Sequence, residues 1–207
     1  MSSISIIGTG NMARAIGTLA IAGGNTVEII GRDHAKAVDL ARALGGSATA
    51  GEIGAVPGGD IVIVALLYAD VVPVVAKYGD ALAGKIVVDI SNPFNSAADG
   101  LAVPDGTSIA QEVAKAAPAS ASVVKAFNTI FGVVLAKGRP LDVFFAGDDA
   151  QAKANVAEFI ESLGLRPLDV GGLSMAHWLE GTGLVVMGLA RHGMGSFDFA
   201  LGATLPA

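Results

Sequence analysis

Short, almost uninterrupted apolar runs alternate along this chain with longer Ala-rich stretches. The apolar runs are rich in β-branched residues, which is typical of strands that are covered on both faces of a sheet. The pattern predicts strands at residues 4–7, 26–30, 60–66, 85–90, 122–127, 142–146 and 166–170. It predicts helices at residues 11–22, 34–44, 70–82, 108–117, 149–163 and 173–191. This alternation indicates an α/β fold with a doubly wound, mostly parallel sheet and a small helical extension at the C-terminus.

The turn between the first strand and the first helix has a G-x-G-x-x-A pattern, formed by Gly8, Gly10 and Ala13. Gly8 allows a tight turn, Gly10 lets the backbone approach a pyrophosphate, and Ala13 lets the helix pack closely on the strand. A pyrophosphate would lie over the free N–H groups and the positive dipole end of the helix. The strand–turn–helix context predicts a Rossmann-like dinucleotide-binding unit rather than a purely structural glycine turn.

The residue that ends the second predicted strand indicates which dinucleotide is bound. NAD-binding units usually have Asp or Glu there, roughly 20 residues past the glycine pattern. Arg32 stands in that place, and its guanidinium can hold a 2′-phosphate in a bidentate manner. Lys36 would add a second charge, while Asp33 is placed to cap the next helix. NADP is therefore favoured over NAD, the alternative being that Arg32 is simply a solvated residue at a helix start.

The carboxyl ends of parallel strands are where open α/β sheets bind their ligands. Four segments that follow predicted strands should therefore converge on one site. They are residues 8–12, 66–68, 91–95 and 127–131.

Composition narrows the class of protein. The 207 residues have a net charge of −6 without a Lys/Arg-rich run, which argues against nucleic acid as a partner. There is no cysteine, and the three histidines have no metal-ligand spacing, so no metal site is predicted. The longest apolar stretch, 61–76, is interrupted by Asp70 and Pro73, and no room is left for a signal peptide before the first strand. We expect a cytoplasmic protein without a membrane partner.

The C-terminal third of the chain is expected to differ in role from the rest. A soft boundary near residue 140 divides a dinucleotide-binding domain (1–140) from an extension (141–207) that packs on the sheet and forms an acceptor cleft. The predicted helix 173–191 is apolar on nearly all sides in its C-terminal half, which is typical of a buried helix. A homodimer interface that includes Trp178 is favoured, and burial against the same chain is the alternative.

Six segments of the chain resemble one known family. They are Gly-Thr-Gly-Asn-Met-Ala (8–13), Gly-Arg-Asp (31–33), Val-Asp-Ile-Ser-Asn-Pro-Phe (88–94), Val-Lys-Ala-Phe-Asn-Thr-Ile (124–130), Ala-Gly-Asp-Asp (146–149) and Leu-Gly-Leu-Arg-Pro-Leu-Asp-Val-Gly (163–171). In this order they resemble the NADPH:coenzyme F420 oxidoreductases and the related oxidoreductase domain of the STEAP metalloreductases. The resemblance covers essentially the whole chain.

This resemblance implies hydride transfer between NADP and a deazaflavin, F420, that is stacked on the nicotinamide; the STEAP branch uses an ordinary flavin. The family's dinucleotide contacts match Gly8, Thr9, Gly10, Asn11, Met12, Gly31, Arg32, Lys36, Leu66, Tyr68, Asn92 and Pro93. Its acceptor contacts match Asn128, Thr129, Ile130, Met194 and Gly195. The F420 enzymes have His where Asn128 stands, whereas the STEAP segment has Asn. The resemblance therefore leaves the small-molecule acceptor open between F420 and a flavin.

No catalytic side chain is predicted, because hydride transfer between stacked rings needs only orientation from the protein. Asp89 is expected to be a buried carboxylate bonded to nearby backbone N–H groups, and Asp148 and Asp149 to cap the following helix. His177 is expected to bond to the backbone, with a proton donor for imine or carbonyl reduction as the alternative. Whether His192 touches the acceptor stays open. A non-catalytic NADP-binding sensor and an imine or carbonyl reductase are the other functions that fit.

Overall fold

The computed structural model describes residues 1–204. Eight strands form one sheet in the order β3-β2-β1-β4-β5-β6-β7-β8, and neighbouring strands are parallel except for the antiparallel pair β6 and β7. The strands are β1 (Ser3–Ile7), β2 (Thr26–Ile30), β3 (Ala48–Gly51), β4 (Ile61–Val64), β5 (Ile86–Asp89), β6 (Ser122–Ala126), β7 (Asp142–Gly147) and β8 (Arg166–Asp169). The helices are α1 (Asn11–Ala22), α2 (His34–Leu44), α3 (Tyr68–Tyr78), α4 (Ile109–Ala116), α5 (Gly132–Leu135), α6 (Ala150–Ser162) and α7 (Ala176–Gly188). The predicted doubly wound, Rossmann-like α/β fold is confirmed.

Helices cover both faces of the sheet and bury the alternating side chains of its strands. On one face, the apolar sides of α1, α2, α5 and α6 pack on inward residues such as Ile6 and Ile63. On the other face, α3, α4 and the start of α7 pack on Ile7 and Val64. Because successive strand residues point to opposite faces, continuous apolar runs are what a sheet covered on both sides requires.

Two elements of the structure, β3 and α5, were not predicted from the sequence pattern. Strand β3 consists of Ala48, Thr49, Ala50 and Gly51 at the edge of the sheet, so it has no apolar run to reveal it. Helix α5 is a single turn of four residues. The predicted helix 173–191 is also divided: a short 3-10 turn (Leu173–Met175) precedes α7, and a π-helical turn (Leu189–Gly193) follows it.

Helix α7 is not enclosed by its own chain. Leu179, Gly183 and Val186 are buried, whereas Trp178 is 64% exposed and Val185 is 58% exposed. The expectation of burial on nearly all sides therefore fails within a single chain, because only one face of α7 meets the rest of the fold. Burial of the other face against a second copy stays a prediction.

Residues after 140 continue the same sheet by adding β7 and β8 to β6. The proposed domain boundary falls in the connection between α5 and β7, and it stays a prediction. Within residues 1–204, no helix combines the length and the apolar character needed to cross a membrane.

Two of the three predicted caps are found. Asp33 accepts a hydrogen bond from Lys36 N at 3.3 Å and begins α2, and Asp149 accepts one from Ala152 N at 2.7 Å and begins α6. The prediction for Asp148 is wrong: its Oδ1 accepts from Leu173 N at 2.7 Å. Asp148 therefore ties the end of β7 to the 3-10 turn before α7 instead of capping α6.

The approach of β1 to the segment before β4 depends on Gly59. A Cβ at Gly59 would lie 2.3 Å from Ser5 N and 2.5 Å from Ile4 C, both backbone atoms that cannot swing away. We expect Gly59→Ala to lower the free energy of unfolding by about 2–3 kcal/mol, as overpacking typically does.

A control for this substitution is available on α7. A Cβ at Gly181 meets nothing within 4 Å, so Gly181→Ala should be neutral or should stabilise the helix by up to about 1 kcal/mol. Urea unfolding measures both variants, and equal losses would contradict the packing described for Gly59.

Candidate functional site

A cleft of about 220 Å³ lies where β1 and β2 end. It brings together six residues predicted to bind the dinucleotide: Gly8, Thr9, Gly31, Arg32, Lys36 and Leu66. Its other lining residues are Ile7, Ile30, Asp33, Ile53, Asp70 and Val74. The cleft thus has an apolar floor and a rim with both cations that the sequence predicted.

The glycine turn leads from this cleft to the start of α1. Gly8 has φ +135°, and a Cβ there would lie 2.3 Å from Ala65 O, so no other residue fits. Gly10 is different, because a Cβ there would meet nothing within 4 Å. Gly10 begins α1 without a side-chain cap, which leaves the first N–H groups of the helix for another acceptor. The turn therefore offers open space at Gly10 beside the free N–H groups of α1.

The two cations lie at the solvent side of the cleft: Arg32 is two residues before α2, and Lys36 is in the first turn of that helix. Arg32 is exposed, and Lys36 Nζ lies 3.8 Å from Asp33 Oδ2 in a pair whose two side chains are 72% and 54% exposed. An exposed ion pair of this kind contributes little to the free energy of folding, and it leaves the Lys36 ammonium able to bind another anion. Gly31 lets the end of β2 approach Thr9 of the glycine turn closely, since a Cβ at Gly31 would lie 2.9 Å from Thr9 Cγ2.

A second cleft of about 260 Å³ lies where β5 and β6 end. Its polar side chains are Asn92, Asn128 and Thr129. The remaining walls are apolar or glycine: Met12, Ile90, Phe94, Phe127, Ile130, Phe131, Gly132, Gly183, Val186 and Met187. A flat apolar ring with a polar edge is the kind of ligand that such walls accept.

The polar corner of the second cleft is a pair of asparagine amides. Asn128 Nδ2 donates to Asn92 Oδ1 at 2.9 Å and to Leu179 O on α7 at 2.8 Å. Asn92 Nδ2 donates in return to Asn128 O at 2.7 Å. The residue before this loop, Phe127, is buried with φ +60°, an uncommon conformation for a bulky side chain. Strain of this kind is often found where a loop is held for function.

Beneath the amide pair, a fully buried ammonium joins four elements of the fold. Lys125 Nζ donates to Asp89 Oδ2 at 2.7 Å, to Ser91 O at 2.6 Å and to Glu180 Oε1 at 2.8 Å. All three of its N–H donors are used. Glu180 in turn accepts from Ile109 N at 3.2 Å and Ala110 N at 3.4 Å, at the positive end of α4. We call Lys125, Asp89, Ser91 and Glu180 the buried ion cluster.

Within the buried ion cluster, desolvation is the largest electrostatic effect on Glu180. Burial raises the pKa of the Glu180 carboxyl, and the ammonium of Lys125 opposes this rise. Charges without water are tolerated only when partners satisfy them, as they do here. The cluster therefore fixes α7 and α4 to the carboxyl ends of β5 and β6, where the second cleft lies.

Comparisons with known proteins show similarity to NADP-linked oxidoreductases. A family model described as NADP oxidoreductase, coenzyme F420-dependent, matches residues 3–93, which include the glycine turn and Arg32. Rat metalloreductase STEAP3 is 32% identical over 181 residues, covering 86% of this chain and 35% of that protein. The F420-dependent NADP reductase of Methanocaldococcus jannaschii is 31% identical over 140 residues, 63% of this chain and 62% of that protein.

A solved structure from Arthrobacter sp. FB24 shares the whole architecture. That protein, provisionally assigned as an F420-dependent NADP reductase, superposes with a TM-score of 0.86 at 25% identity and covers 99% of this chain and 100% of its own. In sequence and in fold the chain is similar to coenzyme F420-dependent NADP oxidoreductases. It spans about a third of the length of rat STEAP3 and somewhat less than two thirds of the archaeal reductase.

Several residues that the family resemblance singled out do not line either cleft. Pro93 is buried beside the second cleft, and Tyr68 begins α3 behind the first. Met194 and Gly195 follow the π-helical turn, are exposed, and are not among the residues that line the second cleft. Asn11 lies in the glycine turn and faces a separate groove between α1 and α5. The binding roles of these five residues stay predictions.

A segment later in the chain packs against Phe131, one of the wall residues of the second cleft. Phe197 and Phe199 pack edge-on against Phe131, with ring centroids 5.2 and 5.9 Å away. The segment is held by Asp142, which accepts from Ala203 N at 2.7 Å and forms a bidentate pair with Arg166. That pair holds the pKa of the Asp142 carboxyl below its usual range. The aromatic contacts are too far apart in sequence for the motifs to reveal them.

Sequence reasoning also missed Lys125 and Glu180. A lysine within the apolar run 122–127 and a glutamate within the apolar C-terminal helix were the available signals. Asp89 is a buried carboxylate, as predicted, and its Oδ1 accepts from Ser91 N at 3.0 Å and Ser91 Oγ at 2.7 Å. Its partner Lys125 was not foreseen.

Neither histidine of interest lines the two clefts. His177 Nδ1 lies 2.8 Å from Thr107 O, the backbone partner that was expected, and its ring packs edge-on against Trp178. His192 is exposed in the π-helical turn. The alternative of His177 as a proton donor therefore gains no support from its position.

Removal of the buried ammonium should be severe. Lys125→Met would leave two buried carboxylates without their cation and should lower the free energy of unfolding by about 3–5 kcal/mol. Without the ammonium, the pKa of the Glu180 carboxyl in the folded protein should rise further. The protonated carboxyl tolerates burial, so the folded state keeps its stability below the carboxyl's ordinary pKa. That stability is lost as the pH rises through the raised pKa and the carboxyl ionises. The loss should thus be smaller in mildly acidic than in mildly alkaline buffer.

Lys115→Met is the matched control for this prediction. Lys115 forms a 2.8 Å pair with Glu112 on the exposed side of α4, and its loss should change stability by less than about 1 kcal/mol. Urea titrations at several pH values compare the two variants. A loss for Lys125→Met that does not change with pH would contradict the assigned electrostatics.

Proposed function

We propose that this chain is an NADP-dependent oxidoreductase that transfers hydride between NADPH and a deazaflavin or flavin. One observation carries the proposal: the two clefts lie on either side of a single glycine turn. Thr9 lines the first cleft and Met12 lines the second, and between them lie Gly10 and the uncapped start of α1. A dinucleotide that crosses this turn would have its adenosine end beside Arg32 and its nicotinamide beside Asn92.

The protein's own contribution is binding and orientation. The bound dinucleotide supplies the hydride, and the acceptor takes it up. The α1 N–H groups and Arg32 hold the anionic groups, while the apolar walls of the second cleft exclude water and stack the rings face to face. In the part of the chain that the structure describes, the residues lining the second cleft include no acid or base, which suits a transfer that needs none.

The similarity to the F420-dependent family model and the names of the related proteins support F420 or a flavin as the acceptor. The archaeal relative is named for F420, whereas the relative matched over more of this chain is a metalloreductase. By the family resemblance, the two branches differ at position 128: the F420 enzymes have His there, and the STEAP segment has Asn, as this chain does. The acceptor's carbonyl end is proposed to meet the backbone of residues 128–130, whose side chains line the cleft.

Cofactor choice is tested at Arg32. Arg32→Ala should weaken NADPH binding by about 1.5–3 kcal/mol, the worth of charge-assisted hydrogen bonds, and should leave NADH binding nearly unchanged. Arg42→Ala, an exposed arginine at the other end of α2, is the control and should alter neither affinity. Fluorescence titration with both dinucleotides decides, and equal affinity of the unmutated protein for NADPH and NADH would refute the choice of NADP.

The glycine turn is tested at Gly10. Because a side chain there meets open space and φ is −81°, Gly10→Val should fold normally. The new methyl groups would nevertheless occupy the space that the pyrophosphate needs, so NADPH binding should be abolished, and Gly10→Ala should show an intermediate loss. Thermal unfolding checks the fold, and calorimetric titration checks the binding. Full affinity in the folded valine variant would rule out this path for the dinucleotide.

The activity itself is tested by stopped-flow mixing of the NADPH complex with F420, FAD and FMN at matched concentrations. We expect rapid oxidation of NADPH by at least one of them. Rates should change little with salt, because no Lys or Arg among the described residues lines the second cleft and stacking dominates the affinity. Tight NADPH binding without transfer to any of the three would favour the sensor or imine-reductase alternatives instead.

A further inference from the structure

The side chain of Asn128 has a fixed orientation, even though its two amide ends look alike in shape. Its nitrogen faces Leu179 O, a backbone oxygen that can only accept, at 2.8 Å. The same nitrogen faces Asn92 Oδ1 at 2.9 Å, and Asn92 is itself held because its nitrogen donates to Asn128 O. A flipped Asn128 would set oxygen against oxygen at Leu179. The geometry therefore assigns both N–H groups to protein acceptors.

This arrangement leaves the other end of the amide unsatisfied. Asn128 is 6% exposed, and within residues 1–204 its Oδ1 is a buried polar atom that accepts no hydrogen bond from the protein. Buried acceptors without a donor are rare, because they lose their water without any replacement. Asn128 lines the second cleft together with Asn92. A buried acceptor at the polar corner of an otherwise apolar cleft points to a ligand that brings the donor.

The walls of the cleft limit the chemistry of that donor. Within residues 1–204 no lysine or arginine lines it, and rings such as Phe94, Phe127 and Phe131 favour a flat partner. A neutral N–H on the edge of a planar ring meets both requirements. We propose that Asn128 Oδ1 accepts a hydrogen bond from an amide-type N–H of the bound ring, and so selects ligands that carry this donor; this inference rests on the function proposed above.

Two bound groups have such a donor: the carboxamide of the nicotinamide and the imide of a flavin or deazaflavin. Under the proposed function both rings enter the second cleft, which Asn128 lines, so either ring edge is a candidate partner for the side-chain oxygen. The chemistry required of the ligand is the same in the two cases. Ligand analogues that lack only the N–H separate them.

The test therefore has two arms. In the first, calorimetry compares NADP⁺ with its 3-acetylpyridine analogue, in which a methyl group replaces the carboxamide NH₂. In the second, riboflavin is compared with 3-methylriboflavin in the presence of saturating NADP⁺. We expect the unmutated protein to prefer the N–H ligand roughly tenfold in one arm, the value of a single hydrogen bond, and that arm identifies the ring.

Asn128→Leu, which has nearly the same shape, should abolish this preference, and Asn155→Leu on the remote helix α6 should keep it. The ligand comparison on the unmutated protein stands even if the Asn128 variant unfolds. Binding of NADP⁺ that depends on Arg32, with no preference in either arm, would overturn the inference and leave the proposed function intact. A preference that survives in folded Asn128→Leu would also overturn it. Absence of NADP⁺ binding to the unmutated protein would overturn both.

Discussion

The fold of the candidate site depends on one buried ammonium group. Lys125 lies on a central strand with no exposed surface, and its three donors reach β5, the loop after it and α7. An unpaired charge in that place would be strongly destabilising, so the three acceptors must stay where they are for the ammonium to be tolerated. Because the charges in the buried ion cluster must stay paired, the cluster holds the carboxyl ends of β5 and β6 and the helices α4 and α7 in a single arrangement.

That arrangement also determines the geometry of the second cleft. Helix α7 supplies Glu180 to the ion cluster and, one residue earlier, the Leu179 carbonyl that fixes the Asn128 amide. Gly183, one turn later, allows close approach, since a Cβ there would lie 2.8 Å from Asn92 Oδ1. Three neighbouring positions of α7 therefore determine how the polar corner of the cleft is presented. The first cleft needs no such support, because backbone geometry at Gly8 and the helix start of α1 suffices.

The parts of the site that could be predicted from the sequence are those that local chemistry determines. The glycine turn and Arg32 lie within a single βαβ unit, and each residue type there has a direct physical reason. The ion cluster could not be predicted in the same way, because Lys125 and Glu180 are separated by 55 positions and meet only in the folded chain. The contact of Phe197 with Phe131 is of the same kind. Strand β3 was missed because an edge strand of small residues has no apolar pattern, and α7 was assigned too much burial because composition does not say which face meets the core.

The most direct test of this account is the crystal structure of the chain with bound NADP⁺. The account predicts that the 2′-phosphate lies within hydrogen-bond distance of the Arg32 guanidinium, the pyrophosphate rests on the N–H groups of α1 beside Gly10, and the nicotinamide lies in the cleft with Asn92 and Asn128. A dinucleotide bound in the reverse direction, or outside these two clefts, would contradict it.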